Sequence, residues 1–254
     1  MANKYLYYIS DEHLFDCIEN LYNSYTSAKS GINTKKFYKN KVDTIKMTFD
    51  SHFNDLNEKT LIKTEINRQI DKSINNFIGT FHEEILGGIK GYQVGKLSGY
   101  DVKAKDDTLF AEIKNKHNTM SSSSAEAAFQ KLARFADDNK QANCYLVQIL
   151  AKKSFCKKWS GIINGKEYSH SRVNIISGDQ FYKLLTGRDE ALFELYKILP
   201  KAISEFLKNH KSSNTTVNSA LEEITNSSKE SERNILDEIT FKNFNYYTGF
   251  EKLE

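Results

Sequence analysis

Apolar residues recur at helical spacing through the first third of the chain. Leu14, Ile18, Leu21, Tyr22 and Tyr25 form one stripe behind a capping candidate, Ser10. Val42, Ile45, Phe49, Phe53 and Leu56 form a second. Ile62, Ile66, Ile70, Ile74, Phe77, Ile78, Phe81 and Ile85 form a third, which ends at Gly87-Gly88. Segment 30–36, SGINTKK, reads as the loop between the first two helices. After Gly91 the period changes. Residues 100–105 and 109–116 are short alternating segments on either side of Asp106-Asp107, which predicts a hairpin. Ser123 with Glu126 makes a capping box ahead of a helix whose apolar face is Ala125, Ala128, Phe129, Leu132, Ala133 and Ala136. Residues 144–150, CYLVQIL, are nearly all apolar, as in a central strand buried on both faces. Residues 159–163 and 173–176 read as further strands, and 178–185 and 190–207 as helices. A hairpin followed by strand, helix and strand predicts an α/β domain with a mixed sheet flanked by helices. From Lys211 the chain turns Ser/Asn/Thr-rich, with helical stretches near 217–225 and 230–240. The tail FKNFNYYTGF is aromatic enough to pack on the body or on a second subunit. There are no internal repeats. The expected division is a helical N-terminal region over 1–76, a core over 77–210 and a helical and aromatic extension over 211–254.

Composition narrows the class. A chain of 254 residues, 39% hydrophobic and 27% charged, is long enough to bury a core and carry helical additions. No apolar run approaches the roughly 18 residues of a membrane-spanning helix. The start, MANKYLYYISDEH, lacks the basic-then-apolar order of a secretory signal. Cys17, Cys144 and Cys156 show no metal-ligand spacing, which argues against a disulfide framework or a zinc site and fits the cytoplasm. Charge is unevenly divided. Residues 86–176 carry 15 Lys/Arg against 8 Asp/Glu, whereas 1–85 carry 11 against 12 and 177–254 carry 10 against 13. A local basic excess suits a surface that faces phosphates; a lysine-rich solvated face gives the same pattern.

The candidate chemistry lies inside that basic stretch. Asp101 stands early on the first arm of the hairpin, and Glu112 and Lys114 lie two residues apart on the second, so these two share a sheet face. Phe110 and Ile113 do not alternate strictly with them, which leaves the face unassigned. An antiparallel pairing brings Asp101 beside the pair, so two carboxylates and an ammonium converge. Hard oxygen ligands suit Mg²⁺, which keeps several waters and leaves room for a phosphate oxygen and an attacking water. Asp101 and Glu112, with the carbonyl of Ile113, are the candidate ligands; Lys114 is placed to orient or deprotonate the water and to offset charge growing at phosphorus. A plain charged pair on an exposed strand gives the same spacing.

Asp101 and, after a gap of ten residues, Glu112-Ile-Lys114 resemble the PD-(D/E)xK nuclease motif, with Tyr100 where many members have proline. The longer runs FHEEILGGIKGYQ and LSGYDVKAKDDTLFAEIKNKHNTMSSSSAEAAFQKLARFADD resemble one family of type II restriction endonucleases that cuts duplex DNA at GGNCC or GGWCC. The likeness is read over residues 77–205. It implies a restriction-endonuclease-like α/β core and Mg²⁺-dependent hydrolysis of phosphodiester bonds in double-stranded DNA. It further implies a homodimer on a pseudo-palindromic site, and restriction of foreign DNA beside a protective methyltransferase that is not a stable subunit. A repair or recombination nuclease of the same fold, or a DNA-binding module that no longer cuts, are the alternatives.

In that fold a further acid often comes from the preceding helix. At about 100° per residue, Glu84 falls roughly 75° from the centre of the stripe through Ile85, while Glu83 points away to water. Glu84 is therefore the expected catalytic acid. Lys116, His117, Asn118 and Thr119 follow the catalytic strand, and Ser121 and Ser122 open a helix whose free N–H groups suit an anion. These six are expected at DNA, the helix start beside the scissile phosphate. Lys157, Lys158, His170 and Arg172 are further DNA-contact candidates. Arg and Lys are the side chains that read guanine, but no base reader is assigned.

Overall fold

The computed structural model of the protein describes residues 3–95, 99–210 and 219–245. Its first elements are the helices α1 (Asp11–Ser30), α2 (Thr34–Lys39), α3 (Thr44–Phe53) and α4 (Glu58–Gly87). The strands β1 (Tyr92–Val94), β2 (Val102–Ala104) and β3 (Leu109–Lys116) precede α5 (Ser122–Asp138) and β4 (Asn143–Leu150). Then come β5 (Cys156–Lys158), β6 (Gly161–Ile163), β7 (Lys166–Tyr168) and β8 (Val173–Ser177). The helices α6 (Gly178–Thr186), α7 (Ala191–Asn209), α8 (Ser219–Glu230) and α9 (Ile235–Phe244) follow. Two compact units form, one from residues 1–21 and 77–211, the other from 22–76 and 212–254. None of the helices is long and apolar enough to cross a membrane, among the described residues.

The first unit is built on a six-stranded mixed sheet in the order β1-β2-β3-β4-β8-β5. The hairpin β2–β3 is antiparallel, β3, β4 and β8 run parallel, and β5 returns antiparallel on β8. β4 lies between two parallel neighbours, which is why its sequence is apolar on both faces. Cys144 and Leu146 face α5, where they pack with Phe110, Phe129, Leu132 and Ala136. Tyr145 faces the other way, its ring 5.9 Å from that of Phe181 on α6. Helices thus cover both faces, and each fully buried Leu or Phe contributes about 1.5–3 kcal/mol relative to exposure.

Local chemistry sets several boundaries. At the hairpin turn Asp107 has φ 60°, and Asp106 accepts hydrogen bonds from the Thr108 amide and hydroxyl. α5 is capped by Ser121, whose hydroxyl accepts from the Ser124 amide at 3.2 Å, and not by the expected Ser123–Glu126 box. Glu126 turns instead to Asn164, Lys166 and Tyr168 of the β6–β7 hairpin, which uses an Asn164-Gly165 turn. Of the expected strand over 159–163, only Gly161–Ile163 is strand, and as β6 it pairs with β7 outside the main sheet. Segment 30–36, expected as loop, contains the start of α2, which Asn33 caps.

The second unit is helical. α2 packs with α8 and α3 with α9, and Phe37 is fully buried. Its cavity of about 770 Å³ holds charges that largely pair with one another, Lys46 with Asp50 and Arg68 with Glu65. The part of the aromatic tail over 246–250 lies outside the described residues.

Candidate active site

The hairpin register answers the question of faces. Phe110 packs in the α5-facing core, so Glu112 and Lys114 share that side of β3, whereas Ile113 is buried on the other. Asp101 sits just before β2. Its amide donates to the Ala111 carbonyl at 3.0 Å, and its carboxylate accepts from the Ile113 amide at 2.6 Å. Tyr100, in the usual proline position, anchors this segment: its ring lies 5.5 Å from Phe110 and 6.1 Å from Phe135.

Two ammonium groups flank Glu112. Lys114 donates to one oxygen at 2.7 Å, and Lys131, from α5, donates to the other. Lys131 was not singled out from the sequence; its place on α5 facing β3 is what brings it in. A cavity of about 320 Å³ opens here, walled by Asp101, Lys131, Glu83, Gly95 and Tyr100 among others.

Glu83, not Glu84, faces this cavity. Glu84 looks toward α1, where Asn20 donates to its carboxylate at 3.4 Å and the His13 ring lies 2.8 Å from its main-chain carbonyl. The helical phase fails because this end of α4 is buried around much of its circumference. Phe81, His82, Ile85 and Leu86 are all buried, while Ile74, Phe77 and Ile78, which set the stripe, are only half-buried. His82 is polar and so adds nothing to an apolar stripe, yet it is 5% exposed and hydrogen-bonded to the Tyr182 hydroxyl at 3.0 Å.

The electrostatics follow from crowding. Burial, then the charge of Asp101, pushes Glu83 up to about 7, against the pull of Lys114. Burial and the charge of Glu112 raise Asp101 above the ordinary aspartate value, opposed by the Ile113 amide and both lysines. Burial works against the Glu112 carboxylate too, but hydrogen bonds from Lys114 and Lys131 outweigh it and hold its pKa below normal. Glu83 and Asp101 line the concavity and are both hard to ionise, while Glu112 lies beside them under Lys114 and Lys131. Carboxylate oxygens are the donors that a hard divalent cation takes. Among the described residues no group of three His, Cys, Asp or Glu side chains is arranged to hold a metal ion, so main-chain oxygen and water would have to complete any coordination. An open site of this kind suits an ion that keeps waters and takes a phosphate oxygen.

The DNA-contact candidates separate into groups. Lys116, Asn118, Thr119, Ser121 and Ser122 are exposed at the C-terminal end of β3 and the start of α5, with the half-buried His117 ring 3.3 Å from the Leu150 carbonyl. Ser122 is about 13 Å along α5 from Lys131 by helical rise. Lys131, and not the helix N-terminus, therefore meets the carboxylates. Lys157 and Lys158 lie on the exposed edge strand β5, with Lys158 donating to the Ser171 carbonyl. His170 and Arg172 precede β8, at the opposite end of the parallel strands from Lys116. They bind the end of α5: His170 pairs with Asp137 at 3.1 Å, and Arg172 donates to the Ala136 carbonyl.

An Asp before one strand and a Glu-x-Lys on the next, set in a mixed sheet between helices, is the arrangement that the PD-(D/E)xK motif describes. The chain belongs to the Eco47II restriction endonuclease family, which it matches over residues 6–208. It is 42% identical to the type II restriction enzyme Sau96I of Staphylococcus aureus, across 96% of this chain and 97% of that one. It is 31% identical to the type II restriction enzyme Eco47II of Escherichia coli, across 80% of this chain and 88% of that one. The protein is a type II restriction endonuclease, an enzyme class that acts on double-stranded DNA and generally needs a divalent metal ion. The likeness begins near residue 6 and not near 77, so the helical front belongs to the family as well.

Proposed function

We propose that the chain hydrolyses phosphodiester bonds in both strands of duplex DNA at a GGNCC- or GGWCC-like site. It does so as a Mg²⁺-dependent homodimer in the cytoplasm, restricting foreign DNA beside a methyltransferase that protects the host. The observation that carries this is the convergence of Asp101, Glu112 and Lys114 on one face, with Glu83 and Lys131 at its rim. Asp101, Glu112 and the Ile113 carbonyl would hold the ion, which supplies charge stabilisation and an acidified water. Glu83 adds a third carboxylate that can accept a proton near neutral pH. Lys114 orients the attacking water and offsets the charge that grows on the phosphate oxygens. Lys116, His117, Asn118, Thr119, Ser121 and Ser122 contact the backbone flanking the cut, and Lys157 and Lys158 extend the basic surface.

The test is a plasmid digest with and without Mg²⁺, followed by sequencing of the fragment ends. Discrete Mg²⁺-dependent fragments ending in a GG…CC site are expected. Asp101→Asn and Glu112→Gln should still retard DNA but cut it at least about 10³-fold more slowly. Near wild-type cutting by either variant would remove that residue from the site.

A further inference from the structure

α7 carries two apolar faces. Ala191, Leu195, Ala202 and Phe206 are buried within the catalytic unit. Phe193, Tyr196, Pro200, Ile203 and Leu207 are exposed, Phe193 by 59% and Tyr196 by 48%. Their spacing alternates three and four residues, the a/d repeat by which one helix meets another, and the seam is about 21 Å long. A soluble surface seldom leaves such a continuous stripe in water unless something covers it. Charge is divided along the same helix. Asp189, Glu190 and Glu194 outnumber Arg188 at its start, whereas Lys197, Lys201 and Lys208 outnumber Glu205 toward its end.

We infer that this seam is where a second copy of the chain docks, α7 against α7, antiparallel across a two-fold axis. The inference rests on the homodimer reading above and names its interface. The stripe is nearly symmetric about Pro200, with Phe193 and Leu207 each seven residues away. An antiparallel partner therefore sets Phe193 opposite Leu207 of the partner subunit, and the two prolines meet at the axis. In that orientation the acidic start of each helix lies beside the basic end of the other, and the helix dipoles oppose. A parallel pair would set like charges together. A single self-complementary surface is also what a two-fold dimer requires, and each chain holds one Asp101/Glu112/Lys114 constellation for a duplex with two strands.

Sedimentation equilibrium of the full chain, free and on a single-site duplex, tests this. The wild type should sediment as a dimer. Ile203→Glu and Leu207→Glu should each raise the dimer dissociation constant at least about 100-fold, with unchanged circular dichroism and thermal midpoint, because these side chains are already exposed in one copy. Glu190→Lys should weaken the dimer, and adding Lys208→Glu should restore it. Phe49→Ser, on the exposed Ile45/Phe49/Phe53 stripe of α3, should leave it intact. A wild-type dimer that persists in both seam variants overturns the interface while the homodimer stands, and dissociation by Phe49→Ser alone moves the contact to α3. Loss of thermal stability with the dimer retained assigns the seam to another part of the same chain, which also overturns the inference. A wild-type one-to-one complex that cuts both strands overturns the homodimer itself.

Discussion

Lys131 on α5 is ion-paired with the one oxygen of Glu112 that Lys114 leaves free. A carboxylate only 13% exposed is thus neutralised from two sides before any substrate arrives. On the proposed metal site, a cation held by that oxygen of Glu112 would compete with Lys131, whose side chain also walls the cavity beside Asp101.

Lys131→Met separates those two effects. Without the competing ammonium, Ca²⁺ should bind the DNA-free protein several-fold more tightly in calorimetry, while Mg²⁺-dependent cleavage falls by about 10-fold or more. The metal-free fold should lose about 1–2 kcal/mol in urea, since Glu112 keeps one partner and loses the other. Unchanged Ca²⁺ affinity together with full cleavage would reduce Lys131 to a surface charge.

The two neighbouring glutamates should differ sharply. Glu83 shares the cavity with Asp101, and Glu84 is turned to Asn20. Glu83→Gln should cut cleavage by about 10–100-fold with DNA affinity retained, and Glu84→Gln should change the rate by less than about 3-fold. Single-turnover rates on one short duplex give the comparison directly. Equal losses would mean that α4 presents both acids to the reaction.

Stability should fall as the solution is made acid, and His82 is one identifiable cause. Burial lowers its pKa from 6.5 to about 4. The folded ring therefore stays neutral where the unfolded chain already takes up a proton. This contribution is whole above pH 6.5 and is lost as pH drops toward 4, by roughly 3 kcal/mol at most. Urea midpoints of the wild type should decline across that window, and His82→Gln should decline less steeply. Parallel curves for the two proteins would assign the acid sensitivity elsewhere.

The hairpin, the central strand and the Asp101/Glu112/Lys114 set were legible because each depends on local pattern. Alternation, a Glu-x-Lys step and a continuous apolar run survive into three dimensions unchanged. Lys131 was hidden because its significance comes from α5 crossing β3, a contact between residues 19 positions apart. Glu83 was hidden because a single apolar stripe describes a helix covered on one side, and the end of α4 is covered on several. The β6–β7 hairpin did leave a signal, Asn164-Gly165, the dipeptide that favours a tight two-residue turn. Glu126 was read as half of a capping box, a local motif, yet it bonds to three residues of that distant hairpin.

Gly95 offers a test of how Asp101 is held. A Cβ added there would lie 1.9 Å from the Tyr100 ring and 2.6 Å from the Tyr100 carbonyl, closer than any real contact. The ring cannot yield easily, because Phe110 and Phe135 pack against it. The displacement must therefore pass into the backbone of residues 100 and 101, where the Asp101 carbonyl accepts from the Gly95 amide at 3.2 Å. Gly95→Ala should move the Asp101 carboxylate away from the Ile113 amide, and errors of about 1 Å near reacting atoms cost about 10²-fold in rate. Cleavage should fall by that order, and Ca²⁺ affinity should weaken with it. Replacing Tyr100 as well, as Gly95→Ala with Tyr100→Leu, frees the space the methyl needs and should recover part of the rate. If the double variant is no faster than Gly95→Ala alone, the close approach of Gly95 to Tyr100 does not position Asp101.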